Sequence, residues 1–212
     1  MTLESNMQSA YTLAFDRAMD LLSNEDLNRV AQVSASTLSG DGKAIGIQYL
    51  NTEYVVDLVK RTVRPLDQED REPCPSITEQ VLILHYLTTP TRHLPLEKRL
   101  ISVKEIPEAQ VYNAAFLKRV VKPLVKKYAE DLAGFGRAGK GLNAKVESYG
   151  HASHTINIFP MVPVTYIIWQ GDDEIPSSGT VLFDASITNY LPSEDIVVAA
   201  SYGVYAHWNK NV

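Results

Sequence analysis

Along residues 8–22, Tyr11, Phe15, Ala18, Met19 and Leu22 recur at spacings of three and four, which predicts an amphipathic helix. Ser23 and Asn24 offer an N-cap and Glu25 and Asp26 a first turn, so a second, short helix is expected. Gly40-Asp41-Gly42 signals a turn. Beyond it Ile45, Ile47 and Tyr49 alternate with smaller or polar residues. Asn51-Thr52 marks a tight turn, and Tyr54, Val55, Val56, Leu58 and Val59 follow, so the two runs read as a β-hairpin. The charged stretch from Pro65 to Pro75 reads as a loop.

Ser76-Ile77-Thr78-Glu79 has the form of a capping box, in which serine and glutamate each accept a backbone N–H of the other. The run Val81 to Leu87 behind it is apolar nearly all round, which predicts a buried helix that ends at Thr89-Pro90. Leu100–Ile106 is a strand candidate. A long helix is expected over 108–132, with Leu117, Val120, Val121, Leu124, Val125 and Tyr128 inside and Lys118, Arg119, Lys122, Lys126 and Lys127 outside. Pro123 should kink it. The glycine-rich stretch 134–141 reads as a mobile or ligand-covering loop. Strands are expected at Thr155–Phe159, Val164–Trp169 and Val181–Phe183, and a final apolar helix runs from Ser193 toward His207 and Trp208.

Helices and short strands in this order point to an α+β fold, with antiparallel strands and helices packed around them. One domain over 1–212 is the simplest organisation, with 1–35 as a helical N-terminal extension and 36–212 as the core; two smaller lobes are the alternative. A 45% hydrophobic content excludes a disordered chain. The single cysteine, Cys74, excludes an intramolecular disulfide or an all-cysteine metal site within one chain and favours a reducing compartment. Its position between two prolines in a charged loop reads as that of an exposed bystander. The N-terminus lacks the basic and apolar regions of a signal peptide, and the longest apolar run, Ile158–Trp169, holds two prolines and is too short to span a bilayer. The expected location is the cytoplasm, with no membrane partner.

Charge changes this picture more than composition does. The net charge is −5, yet residues 92–145 carry 12 basic against 5 acidic side chains, and no Lys or Arg occurs from Val146 to Asn209. The basic middle is a candidate surface for an anion, or for the acidic third of a neighbouring copy in a homo-oligomer. The acidic total and the lack of interleaved aromatics argue against nucleic acid.

Gly134 to Gly141 matches G-x-G-x-x-G and most of G-x-x-x-x-G-K. It follows a basic helix rather than a strand, and Gly141 stands where a nucleotide-hydrolase loop needs Ser or Thr. His151 and His154 are a candidate metal pair if they lie on a turn, but point to opposite faces if they lie on a strand. Asp172, Asp173 and Glu174 on a turn, with Asp184 at a strand end and Glu194 and Asp195 at a helix start, are candidate hard-cation ligands, or ordinary turn and N-terminal carboxylates. His85 in the buried helix and Met161 between prolines fit core packing or an axial-ligand role.

Leu84-His85-Tyr86-Leu87, Ile101–Ile106, Pro160–Val164 with Asp172–Pro176, and Leu182–Ser186 running into Tyr190–Asp195 form an ordered set. In that order and spacing they resemble a prokaryotic family catalogued as domain of unknown function 3786, over about residues 40–200. The resemblance implies no established activity. It implies a setting in anaerobic metabolism of corrinoids or other redox cofactors, where some members carry an added cysteine-rich iron–sulfur segment. With one cysteine this chain departs from those members. Leu100 stands where the resemblance implies a tryptophan, and His151 near where it implies an acid.

Two functional readings follow. The first is a binding module that holds a tetrapyrrole or corrinoid, or docks on a redox-cofactor enzyme. Tyr166, Trp169, Tyr190, Tyr202 and Tyr205 would line a flat pocket, and His85, His151, His154 or Met161 would supply an axial ligand. The second is a divalent-metal hydrolase or lyase built on His151, His154, Asp172, Asp173, Glu174 and Asp184.

Overall fold

The computed structural model describes residues 3–67 and 75–209. Cys74 and most of the loop expected between Pro65 and Pro75 lie outside the described residues. The chain is α+β with two antiparallel sheets, and it divides into two compact units, Met1–Leu94 with Asn189–Leu191 and Pro95–Thr188 with Pro192–Val212. The division predicted near residue 35 lies inside the first unit. No helix among the described residues is long and apolar enough to cross a membrane.

In the first unit, α1 (Leu3–Ser23) buries Ala18, Met19 and Leu22, the C-terminal half of the predicted stripe, while Tyr11 stays exposed. α2 (Leu27–Val33) starts one turn later than Ser23 and Asn24 would place it. Asp26 is its cap and accepts the N–H groups of Asn28 and Arg29. The sheet order is β1 (Thr37–Leu38), β2 (Ala44–Tyr49), β3 (Thr52–Asp57), β4 (Thr62–Pro65). Ile45, Ile47 and Tyr49 point into the core, as their alternation predicts. The β2–β3 turn is Leu50-Asn51, both with positive φ, the backbone that suits a two-residue hairpin. β4 ends on Pro65, which was expected to open the loop. Arg61 turns the chain into β4, and its guanidinium donates to Asp20 (2.8 Å) and to the carbonyl of Asp16 (3.2 Å). α3 (Ile77–Thr88) carries the predicted capping box, with Ser76 N–H donating to Glu79 at 2.9 Å. It buries Val81 to Leu84, Tyr86 and Leu87, and the Tyr86 hydroxyl donates to Ser34 O at 2.7 Å.

In the second unit the sheet runs β5 (Leu100–Ser102), β9 (Ser178–Asp184), β8 (Val162–Trp169), β7 (Ala152–Phe159), β6 (Lys145–Val146). The strand expected to reach Ile106 ends at Ser102 and passes into a 3-10 turn, where Ser102 and Glu105 cap each other. Pro163 is tolerated within β8 because β9 first pairs at Val164, one residue farther on.

The helix expected over 108–132 is composite. A 3-10 turn (Ala109–Tyr112) leads to α4 (Asn113–Phe116), a π turn (Leu117–Val121) and α5 (Lys122–Tyr128). The Lys122 N–H reaches back five residues to Leu117 O, next to Pro123, which has no N–H to give. The extra residue in that turn shifts the helix phase. Val120, Leu124 and Tyr128 stay inside as predicted, whereas Leu117 turns outward. α6 (Leu132–Gly141) replaces the expected glycine-rich loop. Asp131 caps it by accepting the Gly134 N–H at 2.7 Å, and buried Phe135 and Ala138 supply the packing that offsets the weak helix propensity of its glycines. α7 (Ser193–Asn209) closes the unit.

Candidate functional site

Position 154 falls on the inward face of β7, opposite Tyr166 of β8. His154 is 3% exposed and His207, on the last turn of α7, is 0% exposed. Their Nε2 atoms lie 2.5 Å apart, and Nδ1 of His207 lies 2.5 Å from Gly203 O, one helical turn back. The rings pack in an aromatic cage. Phe135 stacks on His154 with centroids 4.1 Å apart, Tyr166 meets His207 edge-on at 4.9 Å, and the Tyr128 hydroxyl donates to His207 O.

Burial in this cage penalises the charged imidazolium. It takes His154 down to about 3, with the nearby His207 adding to the effect. His207 falls to about 4, although its bond to Gly203 O pulls the other way. Both rings are therefore neutral at neutral pH, which fixes the protons. A carbonyl can only accept, so His207 carries its proton on Nδ1 and presents a lone pair at Nε2. His154 must then donate from Nε2, which leaves the lone pair of His154 on Nδ1.

That lone pair has no hydrogen-bond partner among the described residues. It lies against Gly139 of α6, where an added Cβ would sit 2.6 Å from Nδ1 and 2.7 Å from Cε1. Only glycine lets the ring approach the helix so closely. His154 and Gly139 both line a groove of about 710 Å³ between α6 and the β6–β7 edge. Its polar rim includes Lys140, Asn143, Glu147, His151 and Ser153. Glu147 is held in place by Thr155 Oγ1 and Lys145 Nζ, each 3.0 Å away. His151 is exposed, and its Nδ1 accepts the Gln170 N–H at 2.9 Å, so a neutral His151 offers Nε2–H.

The remaining predicted site residues are scattered. His85 is half-buried on α3 in the first unit. Met161 sits half-buried in the β7–β8 turn. Tyr166 and Tyr190 do not line a flat pocket. Both are core residues, and Tyr166 donates to Ala200 O while Tyr190 belongs to the first unit. Tyr202 is half-buried, and Trp169 and Tyr205 are partly exposed. Asp172 closes its own turn by accepting the N–H groups of Ile175 and Glu174, which hold its carboxyl below the ordinary value, and Asp173 and Glu174 face solvent. Asp184 is buried and accepts from Glu97 N, Lys98 N, Ser186 N and Ser186 Oγ. Desolvation pushes its carboxyl up, but these bonds outweigh it and the value falls below the ordinary one. Among the described residues no three His, Cys, Asp or Glu side chains gather as a metal-holding group. The groove does join His151 and His154.

His207 was not singled out from the sequence as a site residue, and Phe135 and Gly139 were noted only within the glycine-rich stretch 134–141. The one local signal was a histidine on an apolar helix four residues after a glycine. Its pairing with a residue 53 positions away has no sequence signature.

A family model described as Domain of unknown function (DUF3786) matches residues 26–206. No curated protein and no solved structure matches the chain.

Proposed function

The chain belongs to the DUF3786 family, and from the geometry of its groove we propose that it is a ligand-binding module whose second unit holds a small polar molecule against Nδ1 of His154. The observation that carries this reading is the fixed lone pair. His207 locks the tautomer, Gly139 leaves the ring edge uncovered, and both His154 and Gly139 line the groove. A basicity as low as about 3 is far from the operating range of a general base, so the ring is better suited to accepting a bond than to moving a proton. Lys140, Glu147 and Nε2–H of His151 give the rim both charges and a further donor. The ligand of this site is a small molecule with a hydrogen-bond donor for His154 and groups of either sign for the rim.

A tetrapyrrole or corrinoid fits these residues only in part. A metal-ligating histidine commonly donates its other N–H to a fixed acceptor, as His154 does to His207. Tyr166, expected to line the macrocycle's pocket, is in the core, and Lys140, Asn143, Glu147, His151 and Ser153 make the rim of this groove polar. No chemical step is therefore assigned to such a group.

The test is native mass spectrometry of the purified chain with its co-purifying small molecules, together with titrations of hydroxocobalamin and haemin. We expect a bound mass that survives His85→Gln and is lost in His154→Gln and Gly139→Ala. A ligand retained by His154→Gln at equal occupancy would overturn the assignment. A corrinoid or haem band at one equivalent, lost only with His154, would replace the polar molecule by the macrocycle.

A further inference from the structure

A second groove in the same unit is built from donors alone. Lys118, Lys122, Pro123, Lys126 and Lys127 of the composite helix and Trp208 of α7 enclose about 590 Å³. None of the four lysine side chains makes a hydrogen bond or ion pair among the described residues. Among the described residues no carboxylate lines the groove. The indole Nε1 of Trp208 is buried and has no hydrogen-bond partner among the described residues. Lys118, Lys122 and Lys126 follow one another at four-residue steps, an arrangement in which like charges repel. Lys118 itself lies within the π turn Leu117–Val121.

Four ammonium groups supply donors and positive charge with no acceptor among their side chains, so the complementary ligand brings several acceptors and negative charge. Lysine acts as a point charge and is a common phosphate binder, and several phosphate oxygens on one ligand match four such charges. The volume exceeds that of one phosphate ion. We propose that this groove is a binding site for a small anion bearing two or more phosphate groups, held by the ammonium groups of Lys118, Lys122, Lys126 and Lys127. The site is separate from the groove at His154, and the proposal does not rest on the function assigned there.

The experiment is a calorimetric and fluorescence titration of the full chain with tripolyphosphate, with citrate and inorganic monophosphate as comparison anions. A Trp169→Phe background leaves Trp208 as the reporting indole, since the chain has two tryptophans. Saturable binding of tripolyphosphate is expected, at least tenfold tighter than that of citrate or monophosphate, with a change in Trp208 emission. Lys122→Glu with Lys126→Glu should weaken it at least tenfold, and Lys140→Glu in the other groove should leave it unchanged. Circular dichroism checks that the variants fold. Equal affinity for citrate overturns the phosphate assignment. So does binding that the two lysine changes leave intact, or binding only of long polyanions such as heparin or RNA.

Discussion

Nε2 of His154 on β7 and Nε2 of His207 on α7 share a single proton across 2.5 Å. The contact joins the sheet to the closing helix, and it is lost once both rings are protonated, since two imidazolium groups would set two donors against each other. Burial keeps both rings neutral, so the pair makes the unit sensitive to acid.

The sign follows from linkage. Both rings bind their proton far more weakly when folded, at about 3 and about 4, than at the ordinary value of 6.5. Between those limits the unfolded chain holds more protons, so stability rises with pH there. The contribution of the pair is fully present above about pH 6.5 and is lost as pH falls toward 4 and then 3. Urea unfolding at pH 7.5, 6 and 5 should show a falling midpoint. His207→Gln should flatten that dependence while lowering stability at pH 7.5. A midpoint that does not move between pH 7.5 and 5 would contradict the buried neutral pair.

Gly139→Ala tests the same contact from the helix side. Alanine favours a helix over glycine by about 1 kcal/mol, yet its Cβ would stand 2.6 Å from Nδ1 of His154. We expect a net loss of about 1–3 kcal/mol from overpacking. Thermal unfolding measures it, and a stabilised variant would show that the ring does not lie where described.

Asp184 is a structural bracket, which sets it apart from a metal ligand. Asp184→Ala leaves the Glu97, Lys98 and Ser186 N–H groups without their acceptor. The expected cost is on the order of 3 kcal/mol, with Asp184→Asn milder because one acceptor oxygen remains. Adding divalent ions should not change the melting temperature through this residue, and a shift that disappears in Asp184→Asn would reinstate it as a ligand.

Ser76→Ala removes one half of the α3 capping box. A loss of about 1 kcal/mol is expected from chemical denaturation. Glu79→Ala should cost a similar amount, and the double variant should cost less than the sum because the two halves satisfy one helix end together.

Local signals were strong enough by themselves to fix several elements. Ser76 and Glu79 wrote the start of α3, the alternation of Ile45, Ile47 and Tyr49 wrote β2, and the apolar stretch behind Ser193 wrote α7. Each depends on residues within one or two turns of one another, which is why a linear reading reaches them. The α+β class follows from their order.

Other features only the tertiary structure decided. Gly134 to Gly141 has poor helix propensity, and it becomes α6 because Asp131 caps it and Phe135 and Ala138 find a core. Leu117 leaves the inner stripe because the turn beside Pro123 gains a residue and rotates the face. Tyr166 and Asp184, predicted as site residues, are spent on internal hydrogen bonds. His154 gains its role from His207 and Gly139, which lie 53 and 15 positions away in the chain. The sequence determined which segments could be helix or strand, because those choices are set by neighbours along the chain. Which imidazole faces a groove with a free lone pair was settled by packing between elements that a linear pattern does not bring together.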